Sequence, residues 1–115
     1  MGGRFASLVA DEAGVAGVIC LGYPFHPPGK PERLRTAHLE AIETPVLVAQ
    51  GERDTFGRRE EVEGYQLSDR VRVHWLRDGD HSLKPRKSSG RTLEENLSEA
   101  AAAVGDFVSE LSAGG

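Results

Sequence analysis

Three apolar runs, set apart by polar stretches with helical spacing, constrain this chain more than any other feature of it. Residues 15–21 (VAGVICL) are a nearly unbroken apolar run rich in β-branched side chains, which predicts a strand buried on both faces, as in a parallel sheet. Residues 45–50 (PVLVAQ) form a second strand, punctuated by Gly51. Residues 71–76 (VRVHWL) alternate, with Val71, Val73 and Trp75 on one face and Arg72, His74 and Leu76 on the other. Before them, Phe5, Leu8 and Val9 among small alanines predict a helix over residues 3–13, stopped by Gly14. Between them lie a short helical stretch at 36–42 and a weak helical pattern at 58–67. After them, Leu93, Leu97, Ala100, Val104, Phe107, Val108 and Leu111 recur at helical spacing, predicting a helix over 92–111 with Thr92 and Glu95 as its capping box. Strands alternating with helices imply crossover connections and an α/β fold of three parallel strands with flanking helices.

Composition narrows the function classes. A chain of 115 residues with a net charge of −4 is one domain or part of one, read here as residues 1–112 with a short tail at 113–115. Its mild acidity lacks the clustered positive charge that nucleic acid or an anionic membrane requires. No run approaches the roughly 18 apolar residues of a membrane span, and no signal-type apolar segment follows the N-terminus. A single cysteine, Cys20, excludes an internal disulfide and a multi-thiolate zinc site; inside the first apolar run it reads as a small buried hydrophobe. Four histidines without H-x-x-x-H spacing argue against a metal. The expectation is a soluble, cytoplasmic chain with no metal or cofactor.

In open α/β sheets, chemistry collects in the loops beyond the carboxyl ends of the strands. Residues 22–31 are one such loop, held irregular by four prolines. The next holds Gly51-Glu52-Arg53-Asp54, and the third, a polar stretch over 77–90, holds Asp78-Gly79-Asp80-His81. Neighbouring parallel strands would set that acid beside that histidine. A carboxylate could then hold an imidazole Nδ1–H and leave Nε2 free as a general base. Asp54 has a plainer reading as a turn carboxylate capping the following helix, and His81 one as a loop histidine.

The combination of GERD after one strand and DGDH after the next resembles the C-terminal half of an α/β-hydrolase. The closer resemblance is to the small dienelactone-hydrolase-like group that includes the testis-expressed and NSL-complex-subunit hydrolase-like proteins. Their segments are similar to VAGVICLGYPFHPPGKPERLRTAHL, PVLVAQGERDTFG and HWLRDGDHSLKPRK, and the resemblance runs from Met1 to about Val108. It implies a serine hydrolase acting on a small acyl compound, with Asp54 as triad acid and His81 as triad base. The elbow G-x-S-x-G of that family aligns so that Met1-Gly2-Gly3-Arg4 follows the serine, which would precede Met1. The Met1 backbone N–H would then belong to the oxyanion hole, and the chain alone would be inactive. A sheet lacking its elbow strand would also expose the edge of the first strand to self-association. The competing class is a non-catalytic, hydrolase-like interaction module.

Tyr23 and His26, in the first loop, are candidates for lining a substrate pocket, His26 being equally readable as a solvated loop residue. His38 and His74 read as surface residues on a helix and a strand. Asp78 and Asp80 read as loop-shaping groups. Ser82, directly after His81 on an extended loop, points away from it and is a poor nucleophile. Lys84, Arg86, Lys87 and Arg91 form a basic cluster that either binds an anionic substrate group or is simply solvated.

Overall fold

Strand β2 (Val46–Gly51) is buried at every one of its six positions and carries the rest of the chain on either side. In the computed structural model, which describes residues 16–114, β2 pairs in parallel with β1 (Val18–Leu21) and with β3 (Val71–Leu76), giving a three-stranded sheet in the order β1-β2-β3. Val46, Leu47 and Val48 are each at most 1% exposed, and each contributes roughly 1.5–3 kcal/mol of transfer free energy. The register aligns Cys20 with Val48 and Val48 with Val73, so all three strands end near one edge.

One face of the sheet bears the larger core. Val18, Cys20, Val46 and Val48 meet Tyr23, Phe25, Leu39, Ile42 and Val62 there, with Val71, Val73 and Trp75 packed against them. These groups come from the irregular first loop, from a 3-10 turn at Ala37–Glu40, and from α1 (Arg59–Val62). The helical stretches expected at 36–42 and 58–67 are therefore reduced to about a turn each. Ser68 accounts for the second shortening, since its N–H donates to the Leu39 carbonyl and its hydroxyl to the Ile42 carbonyl, which draws the chain out of helical geometry. The other face is covered by α2 (Leu93–Gly114), which packs on β3 and β2.

Three sequence expectations change in this setting. Among the described residues of the first apolar run, Val18–Leu21 is strand, and it is not buried on both faces: Ile19 is 38% and Leu21 63% exposed, because α2 lies over β2 and β3. The apolar stripe of α2 is narrower than its spacing suggested. Ala100 and Phe107 are buried, whereas Leu93, Leu97 and Val108 remain exposed, since three strands offer the helix a single seam. The tail expected at 113–115 is helical through Gly114. The helix expected at 3–13 and residue Met1 lie outside the described residues. Thr92 and Glu95 form the anticipated capping box, with Glu95 N–H on Thr92 Oγ1 at 3.1 Å and Thr92 N–H on Glu95 Oε1 at 2.9 Å. No described helix is long and apolar enough to cross a membrane.

Gly51 is where β2 meets the loop after β3. A Cβ on it would strike the carbonyl oxygens of Gly79 and Asp80, main-chain atoms that cannot swing aside. Gly105, in the exposed middle of α2, has open space around its Cα. Gly51→Ala is expected to lose about 2–3 kcal/mol in urea unfolding through forced overpacking, and Gly105→Ala to gain about 0.5–1 kcal/mol from helix propensity. Equal effects at the two positions would contradict this packing.

Candidate active site

The turn after β2 is built to bury a carboxylate. Asp54 N–H donates to the Gly51 carbonyl at 3.1 Å and Gly57 N–H to the Asp54 carbonyl at 3.0 Å, two tight bonds that fold the side chain inward. Asp54 is fully buried. A charge-bearing group so placed needs partners for both oxygens. Oδ1 accepts the Phe56 main-chain N–H at 2.8 Å, an Asx-type bond two residues on. Oδ2 accepts from His81 Nδ1 at 2.9 Å. Asp54 does not cap α1, whose first turn begins after Arg58.

His81 stands where the ends of all three strands converge. Gly22 leaves β1 at φ +80°, and a Cβ there would lie 3.1 Å from the His81 carbonyl and 3.4 Å from its Cε1, so a glycine admits the ring and its loop. Phe56 packs on the imidazole with ring centroids 4.4 Å apart. The side chain is 44% exposed, and among the described residues Nε2 has no hydrogen-bond partner. A carboxylate against Nδ1–H fixes the tautomer that leaves Nε2 able to take a proton from a hydroxyl or water.

The loop bearing His81 is pinned at several points. Asn96, completely buried near the start of α2, donates from Nδ2 to the Arg77 carbonyl at 3.1 Å and to the Leu83 carbonyl at 2.8 Å. Asp80 Oδ1 accepts the N–H groups of Ser82 and Lys84, which gives it the loop-shaping part expected of it. Arg53 N–H donates to the Gly79 carbonyl at 2.8 Å, tying the acid turn to the base loop. Ser82 is exposed on that loop, and its N–H serves Asp80.

Tyr23 and His26 lie in the core rather than along an open pocket. Tyr23, fully buried, donates its hydroxyl to the Arg35 carbonyl at 2.9 Å and lies 3.1 Å from His38 Nε2. Its main-chain N–H donates to Gln50 Oε1 at 2.7 Å, while Gln50 Nε2 donates to the carbonyls of Tyr23 and Gly57. His26 is 3% exposed, with Nδ1 2.8 Å from the Pro27 carbonyl and Nε2 3.1 Å from Glu61 Oε1. Only an imidazolium can donate to both acceptors. Burial alone would lower the His26 pKa, but the bonds to Pro27 and Glu61, with the charges of Glu61 and Asp54, raise it overall. Glu61 is held below the usual carboxylate range against its own desolvation, through its bonds to Arg58 N–H and His26.

The remaining residues singled out by sequence are engaged elsewhere. Burial pushes the Cys20 thiol up to about 11, which makes it a poor thiolate source. His74 is half-exposed on β3 and pairs with Glu99 at 2.7 Å. Of the basic cluster, Arg86 is paired with Asp78 and Arg91 with Glu99 and Asn96, while Lys84 and Lys87 are exposed and have no such pairing among the described residues.

A parallel sheet with an acid on the turn after one strand and its histidine on the loop after the next is the arrangement of an α/β-hydrolase fold. The alpha/beta hydrolase domain family matches residues 1–109, and the chain belongs to that family. No solved structure matches the chain.

The pairing of buried His26 with half-buried Glu61 makes stability pH-dependent. His26 is raised from 6.5, so its share is complete below that value and lost as pH rises through the folded pKa. Glu61 is lowered from 4.5, so its share is complete above that value and lost as pH falls through the folded one. Glu61→Gln should therefore cost most, about 1–3 kcal/mol, between pH 4.5 and 6.5, and less on either side in urea titrations. A cost independent of pH would remove the ion pair from the account.

Proposed function

We propose that this chain carries the acid and base of a serine hydrolase of the dienelactone-hydrolase-like kind, acting on a small-molecule ester or similar acyl compound. The supporting observation is the 2.9 Å contact from His81 Nδ1 to the fully buried Asp54 carboxyl, beside an Nε2 with no partner among the described residues. In this reading His81 Nε2 takes the proton of a serine hydroxyl as the oxygen attacks the acyl carbon, then returns it to the leaving group. Asp54 orients the ring and stabilises the imidazolium. The serine belongs to a G-x-S-x-G elbow on a strand pairing with the outer edge of β1, which has β2 as its only strand neighbour among the described residues. The main-chain N–H of the residue after that serine, Met1 in this alignment, contributes to the oxyanion hole.

The test joins an upstream segment ending in a strand and G-x-S to Met1 and assays a small activated ester. The extended protein is expected to hydrolyse it, and the 115-residue chain not to. In the extended protein, His81→Ala should lower kcat by about 10⁶-fold and Asp54→Asn by about 10⁴-fold. Sedimentation should show self-association of the shorter chain through the β1 edge, relieved by the extension. An extended protein that folds, binds a protein partner and hydrolyses no ester, thioester or amide would establish the interaction-module reading instead. Activity of the 115-residue chain that depends on Ser82 would overturn the placement of the nucleophile.

A further inference from the structure

Asp78 is bonded in two directions at once. It begins the loop that carries His81 and stands at φ 56°, in the left-handed region that Asp and Asn tolerate better than other side chains. Toward the acid turn, its N–H donates to Glu52 Oε1 at 2.9 Å and its carbonyl accepts from Arg53 Nε at 2.9 Å, with Arg53 Nε also 3.3 Å from Asp78 Oδ1. Toward the far end of its own loop, its carboxylate accepts the Arg86 main-chain N–H at 2.9 Å, Arg86 Nε at 3.2 Å and Arg86 Nη2 at 2.6 Å. The Arg86 hydrogen bonds, side chain first, hold the Asp78 carboxyl down at about 2, so the pair stays charged throughout the neutral range.

The loop is thus closed at its base by a forked ion pair, and His81 sits within the closed segment. The same residue ties that base to Glu52 and Arg53, which directly precede Asp54 in the chain. The carboxylate of Asp80, the other acid of the DGDH segment, accepts, among the described residues, from the N–H groups of Ser82 and Lys84 in its own loop. Asn96 fastens the loop to α2, not to the acid turn. We infer that Asp78, clamped between Arg53 and Arg86, is the positioning residue that holds the His81 imidazole against Asp54. The inference rests on the proposed function only in treating that imidazole as the base.

The readout is the His81 Nδ1–H proton, followed by ¹⁵N-edited NMR in the 115-residue chain, together with its exchange with solvent. Asp78→Asn keeps a residue that accepts a positive φ but removes the charge, and Arg86→Gln removes the fork from the exposed side. Each is expected to speed Nδ1–H exchange by about tenfold or more, the loss of a charge-assisted hydrogen bond, while cooperative unfolding is retained. If Asp78→Asn does not fold, Arg86→Gln alone decides. Exchange within about twofold of the parent chain in every variant that folds overturns the inference. Faster exchange alongside an extended protein that hydrolyses nothing leaves the clamp standing and removes the hydrolase reading. Unchanged exchange alongside an active hydrolase removes the clamp alone.

Discussion

Parallel pairing of β2 between β1 and β3 is the constraint on which everything else depends. Parallel strands run their carboxyl ends to the same edge, so turns far apart in sequence must meet there. The register brings Ala49 level with both Leu21 and His74. The three loops therefore leave the sheet close together, and β2, buried on both faces, cannot slip by a residue without turning Val46 and Val48 from one core to the other. The close approach at Gly51 follows from the same geometry, since the loop after β3 must pass directly over the end of β2.

At that edge the chain places a carboxyl group out of contact with water, and the surrounding polar network compensates. Asp54 has one N–H and one imidazole on its oxygens. Around it, Gln50 bridges the first loop to the acid turn, and His26 donates its N–H to the Phe56 carbonyl while its ring pairs with Glu61. Gln50 and His26 are buried polar groups with bonds to distant segments, so each works as a link between loops. The result is an edge at which the Asp54 carboxyl is enclosed while the His81 ring bonded to it stays 44% exposed.

The parts legible in the sequence are those set by short-range periodicity or by one-residue chemistry. Three strands, their parallel order, the helix after Thr92 and the juxtaposition of Asp54 with His81 follow from apolar runs and from where an acid and a histidine fall after strands. What was not legible depends on partners distant in sequence. Gln50 looks like the polar end of an apolar run, and its part emerges only when Tyr23 and Gly57 lie beside it. Asn96 was the more recoverable case: it precedes buried Ala100 by four residues, on the stripe that continues to Phe107, and a polar residue on a buried stripe implies acceptors facing it. The sequence puts His26 and Tyr23 in the first loop, but that loop folds inward over the sheet and turns both into core groups. The exposure of Ile19 and Leu21 on β1 could not be foreseen either, because it depends on which strands α2 covers.

The pairing of Asp54 with His81 depends on which ring nitrogen carries the proton when the imidazole is neutral. Long-range ¹H–¹⁵N correlation spectra of the imidazole distinguish the two tautomers directly. With Asp54 Oδ2 2.9 Å from Nδ1, the neutral ring should be held as the Nδ1–H tautomer with Nε2 unprotonated, and Asp54→Asn should abolish that preference. A neutral His81 found chiefly as the Nε2–H tautomer, or as an averaged mixture indifferent to Asp54, would contradict the pairing and with it the assignment of the two residues as acid and base.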